Sequence, residues 1–273
     1  MTVIAVLTAV NDQKSYTDCV DLYLDSWNKI GATSRNTWIP LIIKVSKTTL
    51  TLESGSKNYE WSLLDFKTPT SLISQVSRLL VPSFVDADFI VTTDIDMLPL
   101  NLRVFDRALA ELESGSGDFV VCRDVLKPGQ FPMCYNIASP KVWGEIFPTN
   151  LTLELSRIWA RIEKDFDGRR GKRGWYFDQE YLHEKLSAAE LRGLRVIKMK
   201  DSVTMHRRLD ISRRNILLWP LITFRILQGN YSDFHLKLPL SKHRVFIDYI
   251  LFLNALRVRT HSAIQKLSSV RKY

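Results

Sequence analysis

Two aspartates directly follow a short apolar run near the middle of the chain. Residues 89–100 read FIVTTDIDMLPL, so Asp94 and Asp96 end a predicted buried strand with Ile95 between them. In extended backbone such alternate residues point to the same side, and two adjacent carboxylates repel each other unless a cation lies between them. Carboxylate oxygens select Mg²⁺ or Mn²⁺, which proteins commonly share with substrate phosphates. The competing explanation, a turn or a helix cap, needs only one aspartate. The pair therefore predicts a divalent metal site.

The elements that would position this pair alternate between strands and helices. Short β-branched apolar runs at residues 3–9, 38–45, 89–93 and 119–122 predict buried strands, and residues 16–30, 70–80 and 102–112 carry apolar side chains at helical spacing. Residues 50–66 predict irregular strands and turns around Gly55. This alternation predicts an α/β fold with a mixed, mainly parallel sheet flanked by helices.

Polar residues also follow the first predicted strand. Thr8, Ala9 and Asn11 lie at its end, and ligands of open α/β sheets bind outside the carboxyl ends of the strands. We therefore expect these residues to meet the same ligand as the aspartate pair. The glycine-rich basic stretch 167–174, DGRRGKRG, lacks the P-loop pattern and predicts a solvated connection or a mobile lid over an anionic ligand.

Charge divides the chain unevenly. The 273 residues carry a net charge of +9, from 38 Lys and Arg against 29 Asp and Glu. Residues 192–273 hold 17 of these cations and only 4 of the acids, so the whole positive excess lies there. Aromatic residues are interleaved with the cations, which predicts basic amphipathic helices that either contact an anionic membrane or form a solvated face. Because no nucleic-acid-binding module is recognisable, nucleic acid is not an expected partner.

Composition excludes several classes of protein. With 45% hydrophobic and 25% charged residues, the chain is neither disordered nor fibrous. No apolar stretch reaches the roughly 20 residues that span a bilayer, and the N-terminus lacks the pattern of a signal peptide. Three cysteines without a CxxC spacing suit a reducing compartment. We expect a cytoplasmic protein, with peripheral membrane contact through the basic C-terminus as a further expectation.

Other motifs accompany the aspartate pair in a fixed order. Residues 75–82 read QVSRLLVP, residues 133–143 read MCYNIASPKVW, residues 175–182 read WYFDQEYL and residues 203–207 read VTMHR. In this order they resemble GT-A nucleotide-sugar glycosyltransferases, with a D-Q-x-x-L element similar to that of family 8-like enzymes. The resemblance covers roughly residues 3–208. It is to the fold superfamily, because the chain reads HRRLD at residues 206–210 where family 8 enzymes have H-x-G-x-x-K-P-W.

The resemblance implies a Rossmann-like GT-A catalytic domain at residues 1–210, followed by a basic helical region at 211–273. Residues 1–100 would form the nucleotide-binding half and residues 101–210 the acceptor half. The implied activity is metal-dependent transfer of a sugar from a nucleoside diphosphate sugar to a glycan or glycolipid hydroxyl, with Mn²⁺ or Mg²⁺ as the cofactor.

The resemblance also assigns roles to single residues. The implied metal ligands are Asp94, Asp96 and His206; the implied catalytic residues are Asp178 and Gln179; and the implied donor-binding residues are Thr8, Ala9, Asn11, Arg78, Asp94, Ile95 and Arg207. Asp178 would act as a general base if the enzyme inverts, and with Gln179 it would support a positively charged sugar if the enzyme retains. A helix cap is the alternative role for Asp178. Arg207 or Arg208 would hold the diphosphate.

Two other functions remain open from the sequence. A sugar nucleotidyltransferase also uses carboxylates and a cation, but that class usually has a glycine-rich loop after the first strand, and residues 8–13, TAVNDQ, contain no glycine. A non-catalytic protein that binds membranes or nucleic acid through its basic C-terminus is the second alternative.

Overall fold

The structure, a computed structural model, describes residues 1–54, 57–62, 68–123, 127–147, 149–169, 171–204, 207–210 and 219–270. The strands are β1 (Val3–Val10), β2 (Thr37–Val45), β3 (Thr49–Ser54), β4 (Lys57–Ser62), β5 (Phe89–Thr92), β6 (Met97–Pro99), β7 (Phe119–Val121), β8 (Asn136–Ala138), β9 (Val196–Lys198), β10 (Arg208–Asp210) and β11 (Asp233–His235). The helices are α1 (Lys14–Thr17), α2 (Val20–Gly31), α3 (Thr70–Leu80), α4 (Arg103–Glu113), α5 (Pro140–Ile146), α6 (Leu151–Ile162), α7 (Phe177–Leu191), α8 (Asp201–Thr204), α9 (Trp219–Leu227) and α10 (Arg244–Val270).

Eight strands form the central sheet in the order β4-β3-β2-β1-β5-β8-β7-β9. The strands β1, β2 and β5 are mutually parallel in the middle of the sheet, and β7 pairs with β9 in parallel. The strands β3 and β8 run against their neighbours, so the other six run in one direction. The predicted α/β class with a mainly parallel sheet flanked by helices is confirmed.

Both faces of the sheet are covered, which explains the continuous apolar run in β1. Side chains alternate between the two faces of a strand. Ile4 and Val6 pack on the face that also holds residues of α2, α4 and α10, whereas Ala5 and Leu7 pack on the face that holds residues of α3, α5, α6 and α7. The result is two hydrophobic layers on one rigid sheet, whose parallel strands end at a common edge.

A smaller sheet is built from parts of the chain that are far apart in sequence. β11 pairs in parallel with β10 and antiparallel with β6. β11 therefore joins the C-terminal region to the segment that directly follows the aspartate pair. The predicted division of the chain at residue 210 stays a prediction.

The C-terminal helices predicted from the basic composition are present as α9 and α10. Within the parts of the chain that the structure describes, no helix combines the length and hydropathy that a membrane span requires. All three cysteines are buried and free. The strands β3 and β4 pair regularly along their length, where the sequence predicts irregular strands. The predicted turn at Gly55 and residues 63–66 lie outside the described residues.

Candidate active site

A cavity of about 280 Å³ opens at the carboxyl ends of β1 and β5. The residues predicted for the site that line it are Ala9, Asn11, Arg78, Asp94, Ile95, Asp96, Asp178 and Gln179. Thr8 is fully buried and lies outside the lining, as does the exposed Arg207. His206 lies outside the described residues. The structure thus brings most of the sequence-predicted residues to one place, at the sheet edge where ligands of α/β proteins bind.

Helix α3 presents one polar face to the cavity. Ser71, Ser74, Gln75 and Arg78 line it, and their spacing of three, four and seven residues places them on one side of a helix. The remaining face of α3, which includes Leu72, packs in the hydrophobic core. The amphipathic pattern of α3 therefore determines which side chains reach the ligand.

Arg78 joins two carboxylates inside the cavity wall. Its guanidinium donates to Asp94 through Nη1 and to Asp178 through Nη2, the latter at 2.7 Å. Nη1 also donates to the backbone oxygen of Thr93 at 3.2 Å. The side chain of Arg78 is only 8% exposed, so these bonds are shielded from water and hold the two aspartates in fixed positions.

The environments of the two aspartates differ. Burial raises the pKa of Asp178 to about 6, although the positive charge of Arg78 acts in the opposite direction. Burial also acts to raise the pKa of Asp94, but Arg78 outweighs it and lowers that pKa below its usual value. Asp178 lies in the first turn of α7 and accepts from the backbone N–H of Gln179 at 2.9 Å. A buried carboxyl with a raised pKa is a common feature of catalytic sites.

The small sheet places a histidine beside the second aspartate of the pair. In the register of β6 and β11, His235 lies opposite Met97, the residue after Asp96. Its Nε2 is 3.3 Å from Oδ2 of Asp96, and its Nδ1 is 2.9 Å from Oδ1 of Asp210, which lies opposite it on β10. Hydrogen bonds to Asp210 and Asp96 raise the pKa of His235 to about 9.

The chemistry of this trio fits a divalent cation. Metal-binding histidines usually donate their second ring N–H to a carboxylate, as Nδ1 of His235 can do to Asp210. Nε2 of His235 and the carboxylate of Asp96 then lie side by side in the wall of the cavity. Across the described residues, no group of three or more His, Cys, Asp or Glu side chains is arranged to hold a metal ion. Of the described residues, Asp96 and His235 would hold the cation, and a phosphate-bearing substrate and water would supply further oxygen ligands.

Of Arg207 and Arg208, it is Arg208 that lines the cavity. It donates to Sγ of Cys134 at 3.0 Å and lies 3.5 Å from Oδ2 of Asp233, which is fully buried. Arg207 uses its backbone oxygen to accept from Ser232 at 3.0 Å, while its side chain is exposed. The two candidates for diphosphate binding therefore differ in placement, and only Arg208 is near the expected ligand.

Aromatic residues close one side of the cavity. Trp175 and Tyr176 follow the glycine-rich basic stretch and line the cavity. Nε2 of Gln75 donates to the backbone oxygen of Trp175 at 3.2 Å, and the ammonium of Lys127 lies 4.8 Å from the centre of the Tyr176 ring. The stretch 167–174 thus ends at the cavity wall; its role as a lid stays a prediction.

Sequence reasoning missed His235 and Asp210. The signal that existed was weak: Asp233 and His235 alternate with Phe234 between Gly229 and Pro239, as in a short strand. Nothing in the local pattern shows that this strand pairs with the segment after the aspartate pair. For the diphosphate, the sequence offers either Arg207 or Arg208.

No protein-family model matches this chain, and no curated protein matches it. Several solved structures resemble it at low identity. A glycosyltransferase involved in the glycosylation of the major capsid of PBCV-1 is 8% identical, with a TM-score of 0.45 over 90% of this chain and 98% of that one. The glycosyltransferase GlyE of Streptococcus pneumoniae TIGR4 is 14% identical, with a TM-score of 0.48 over 97% of this chain. The match covers 64% of GlyE, so this chain spans less than two thirds of the length of GlyE.

The galactosyltransferase LgtC, solved in complex with donor and acceptor sugar analogs, is 13% identical, with a TM-score of 0.45 over 92% of this chain and 95% of LgtC. All three are glycosyltransferases, the class that the sequence motifs resemble.

Proposed function

We propose that this protein is a metal-dependent glycosyltransferase that moves a sugar from a nucleoside diphosphate sugar to a hydroxyl of a glycan or glycolipid. One observation carries the proposal. A single cavity at the ends of the parallel strands is lined by the aspartate pair, by a histidine held by a third carboxylate, and by a buried Asp178 fixed through Arg78. This is the set of groups that departure of a nucleoside diphosphate from a sugar requires.

Charge in the cavity supports a role for a cation. Among the described residues, three aspartates and two arginines line the cavity, together with His235. A diphosphate would add negative charge to a lining whose three carboxylates are already matched by its two arginines and a protonated His235. A divalent cation on Asp96 and His235 would offset this charge and stabilise the departing diphosphate.

Each group in the proposed site has a distinct task. Asn11 would contact the nucleoside from the end of β1, and Arg208 would hold a phosphate oxygen as a guanidinium fork. Asp178 and Gln179 would contact the transferred sugar from the first turn of α7. Arg78 would keep Asp178 in place, because its Nη1 and Nη2 groups already donate to the carboxylates of Asp94 and Asp178.

Calorimetric titration with UDP and with GDP, each with and without Mn²⁺, tests the donor site. We expect one nucleotide to bind only when Mn²⁺ is present, and we expect this binding to be lost in Asp96→Ala and in His235→Ala. The matched control is Asp25→Ala, which removes an exposed carboxylate that pairs with Lys29 on α2; it should bind as the wild type does.

A second measurement tests transfer itself. With nucleoside diphosphate sugars of the base that binds, release of the free nucleoside diphosphate should be slow with water and faster with an acceptor sugar. Asp178→Asn should retain nucleotide binding and lose most of this release. Metal-independent nucleotide binding, or diphosphate release from a nucleoside triphosphate and a sugar phosphate, would contradict the proposal.

A further inference from the structure

Exposed apolar side chains are concentrated on the two C-terminal helices. Among the described residues, ten large apolar side chains are exposed, and six of them lie on α9 and α10. These six, which we call the α9–α10 patch, are Leu221, Phe224, Leu227, Val245, Phe252 and Leu256. Single exposed apolar residues are common on protein surfaces, but a cluster of this kind marks a contact surface.

The two helices lie side by side and run in the same direction. The ring of Trp219 at the start of α9 contacts the ring of Phe246 at 4.3 Å. One turn later, the hydroxyl of Thr223 is 2.9 Å from that of Tyr249. Just past the end of α9, Gly229 lies against the side chain of Arg257. Residues of α9 therefore lie beside residues about 27 positions later on α10.

This alignment makes the patch continuous. By this offset, Phe224 lies about one residue from the level of Phe252, and Leu227 lies about two residues from the level of Leu256. Within α9 the patch residues are three apart, and within α10 they are seven and four apart, so each set forms one stripe along its helix. The opposite faces, which include Ile222 on α9, are buried in the core. Both stripes therefore face away from the protein.

The charge around the patch is positive. Residues 219–260 contain six Lys and Arg and only two Asp. Of the two acids, Asp233 is fully buried and Asp248 pairs with Arg244. Lys237, Lys242 and Arg259 are exposed. A second copy of this chain would bring like charges together, whereas an anionic surface would be attracted.

We propose that the α9–α10 patch docks this protein on an anionic lipid bilayer. The phenylalanine and leucine side chains enter the boundary between headgroups and acyl chains, and the surrounding cations bind the headgroups. The helices lie in the plane of the surface. This proposal concerns a surface separate from the cavity and does not depend on the reaction catalysed there.

Vesicle flotation tests this with the full chain. The vesicles are phosphatidylcholine alone, or phosphatidylcholine with phosphatidylglycerol. The patch variant is Phe224→Ser with Phe252→Ser. The matched control is Leu153→Ser with Leu191→Ser, which removes two exposed apolar side chains from α6 and α7.

We expect the wild type and the control to bind the anionic vesicles, and the patch variant to bind at least about tenfold more weakly. Binding should also weaken in about 1 M salt, where the Debye length is about 3 Å. Unchanged melting temperatures and size-exclusion profiles would show that both variants are folded and keep the oligomeric state of the wild type.

Three results would overturn the proposal. The first is equal vesicle binding by the wild type and the patch variant. The second is equal wild-type binding to neutral and anionic vesicles. The third is that the wild type binds no vesicles and is dimeric, whereas the patch variant is monomeric. The patch would then join two copies of the chain.

Discussion

Replacing Arg78 with methionine tests whether the buried ion-pair network holds the site together. The substitution keeps an unbranched stem of similar length and removes the guanidinium that contacts Asp94 and Asp178. In the folded protein, Asp178 would then be a carboxylate with a side chain only 5% exposed and no cation beside it. Burying a charge without a partner is strongly unfavourable.

The size of the effect follows from this burial. Removing one member of a buried ion pair typically costs about 3–5 kcal/mol. At about 2–4 °C for each kcal/mol in a chain of this size, the melting temperature should fall by about 6–20 °C. The pair of Arg195 and Asp118 has a similar N–O distance of 2.7 Å, but Arg195 is 57% exposed. Arg195→Met should therefore cost only about 0–1 kcal/mol.

The pH dependence of this cost gives a second criterion. The pKa of Asp178 is about 6 in the folded protein, above its ordinary value of 3.8. The folded state therefore takes up a proton before the unfolded state does as the pH falls, and this proton uptake stabilises the fold below pH 6. Without Arg78 the pKa of Asp178 rises further, because the attraction that favours the carboxylate is lost. A neutral Asp178 needs no cation, so Arg78→Met should cost less at pH 5 than at pH 7.

Urea unfolding followed by circular dichroism measures these free energies at both pH values. The double variant Arg78→Met with Asp178→Asn should be less destabilised than the sum of the single changes, since the buried charge is also removed. A cost of Arg78→Met no larger than that of Arg195→Met would refute the reasoning. A cost that does not shrink at pH 5 would show that the charge of Asp178 is not its source.

Three further perturbations have defined outcomes. Asp178→Asn should remove a stability gain of roughly 2 kcal/mol between pH 7 and pH 4, which follows from a pKa of 3.8 in the unfolded chain and about 6 in the folded protein. Urea unfolding would show an unchanged pH profile if Asp178 is not the group. If His235 holds the cation as proposed, Asp210→Asn should weaken Mn²⁺-dependent nucleotide binding about 10–100-fold in calorimetry, because Asp210 contacts Nδ1 of that histidine. Wild-type affinity would exclude this role for Asp210. Gly31→Ala should destabilise the folded protein by about 1–3 kcal/mol, because the added Cβ would lie 2.8 Å from a tryptophan carbon on β2. As a control, Gly144→Ala should not lower the melting temperature, because the atom nearest to its added Cβ is 3.4 Å away.

Helix α3 shows what the sequence can establish about the fold. Its predicted and observed bounds agree, at Thr70 and Leu80. Pro69 precedes it, Pro82 follows it, and the apolar residues between them recur at helical spacing. These local signals are strong because they involve residues that are close in sequence. In the structure, Arg78 lies on the face of α3 that lines the cavity.

The strands of the small sheet show where sequence reasoning stops. β6, β10 and β11 have three residues each, too few for an alternating pattern to be recognised. Their pairing brings together residues separated by as many as 139 positions, as for His235 and Asp96. Such a register is determined by the packing of the whole fold, so the histidine beside the aspartate pair could not be identified from local pattern.

The position of β11 in the chain has a consequence for recombination between related genes. β11 lies between α9 and α10, so His235 is encoded within the same stretch as the two helices of the α9–α10 patch. A chimera joined near residue 211 would take both helices and His235 from the second parent, so the proposed surface attachment and the proposed cation site would be inherited together. A junction near Pro239 would leave His235 and α9 with the first parent and transfer only α10. A set of such chimeras would separate two properties that truncation of this chain would remove together.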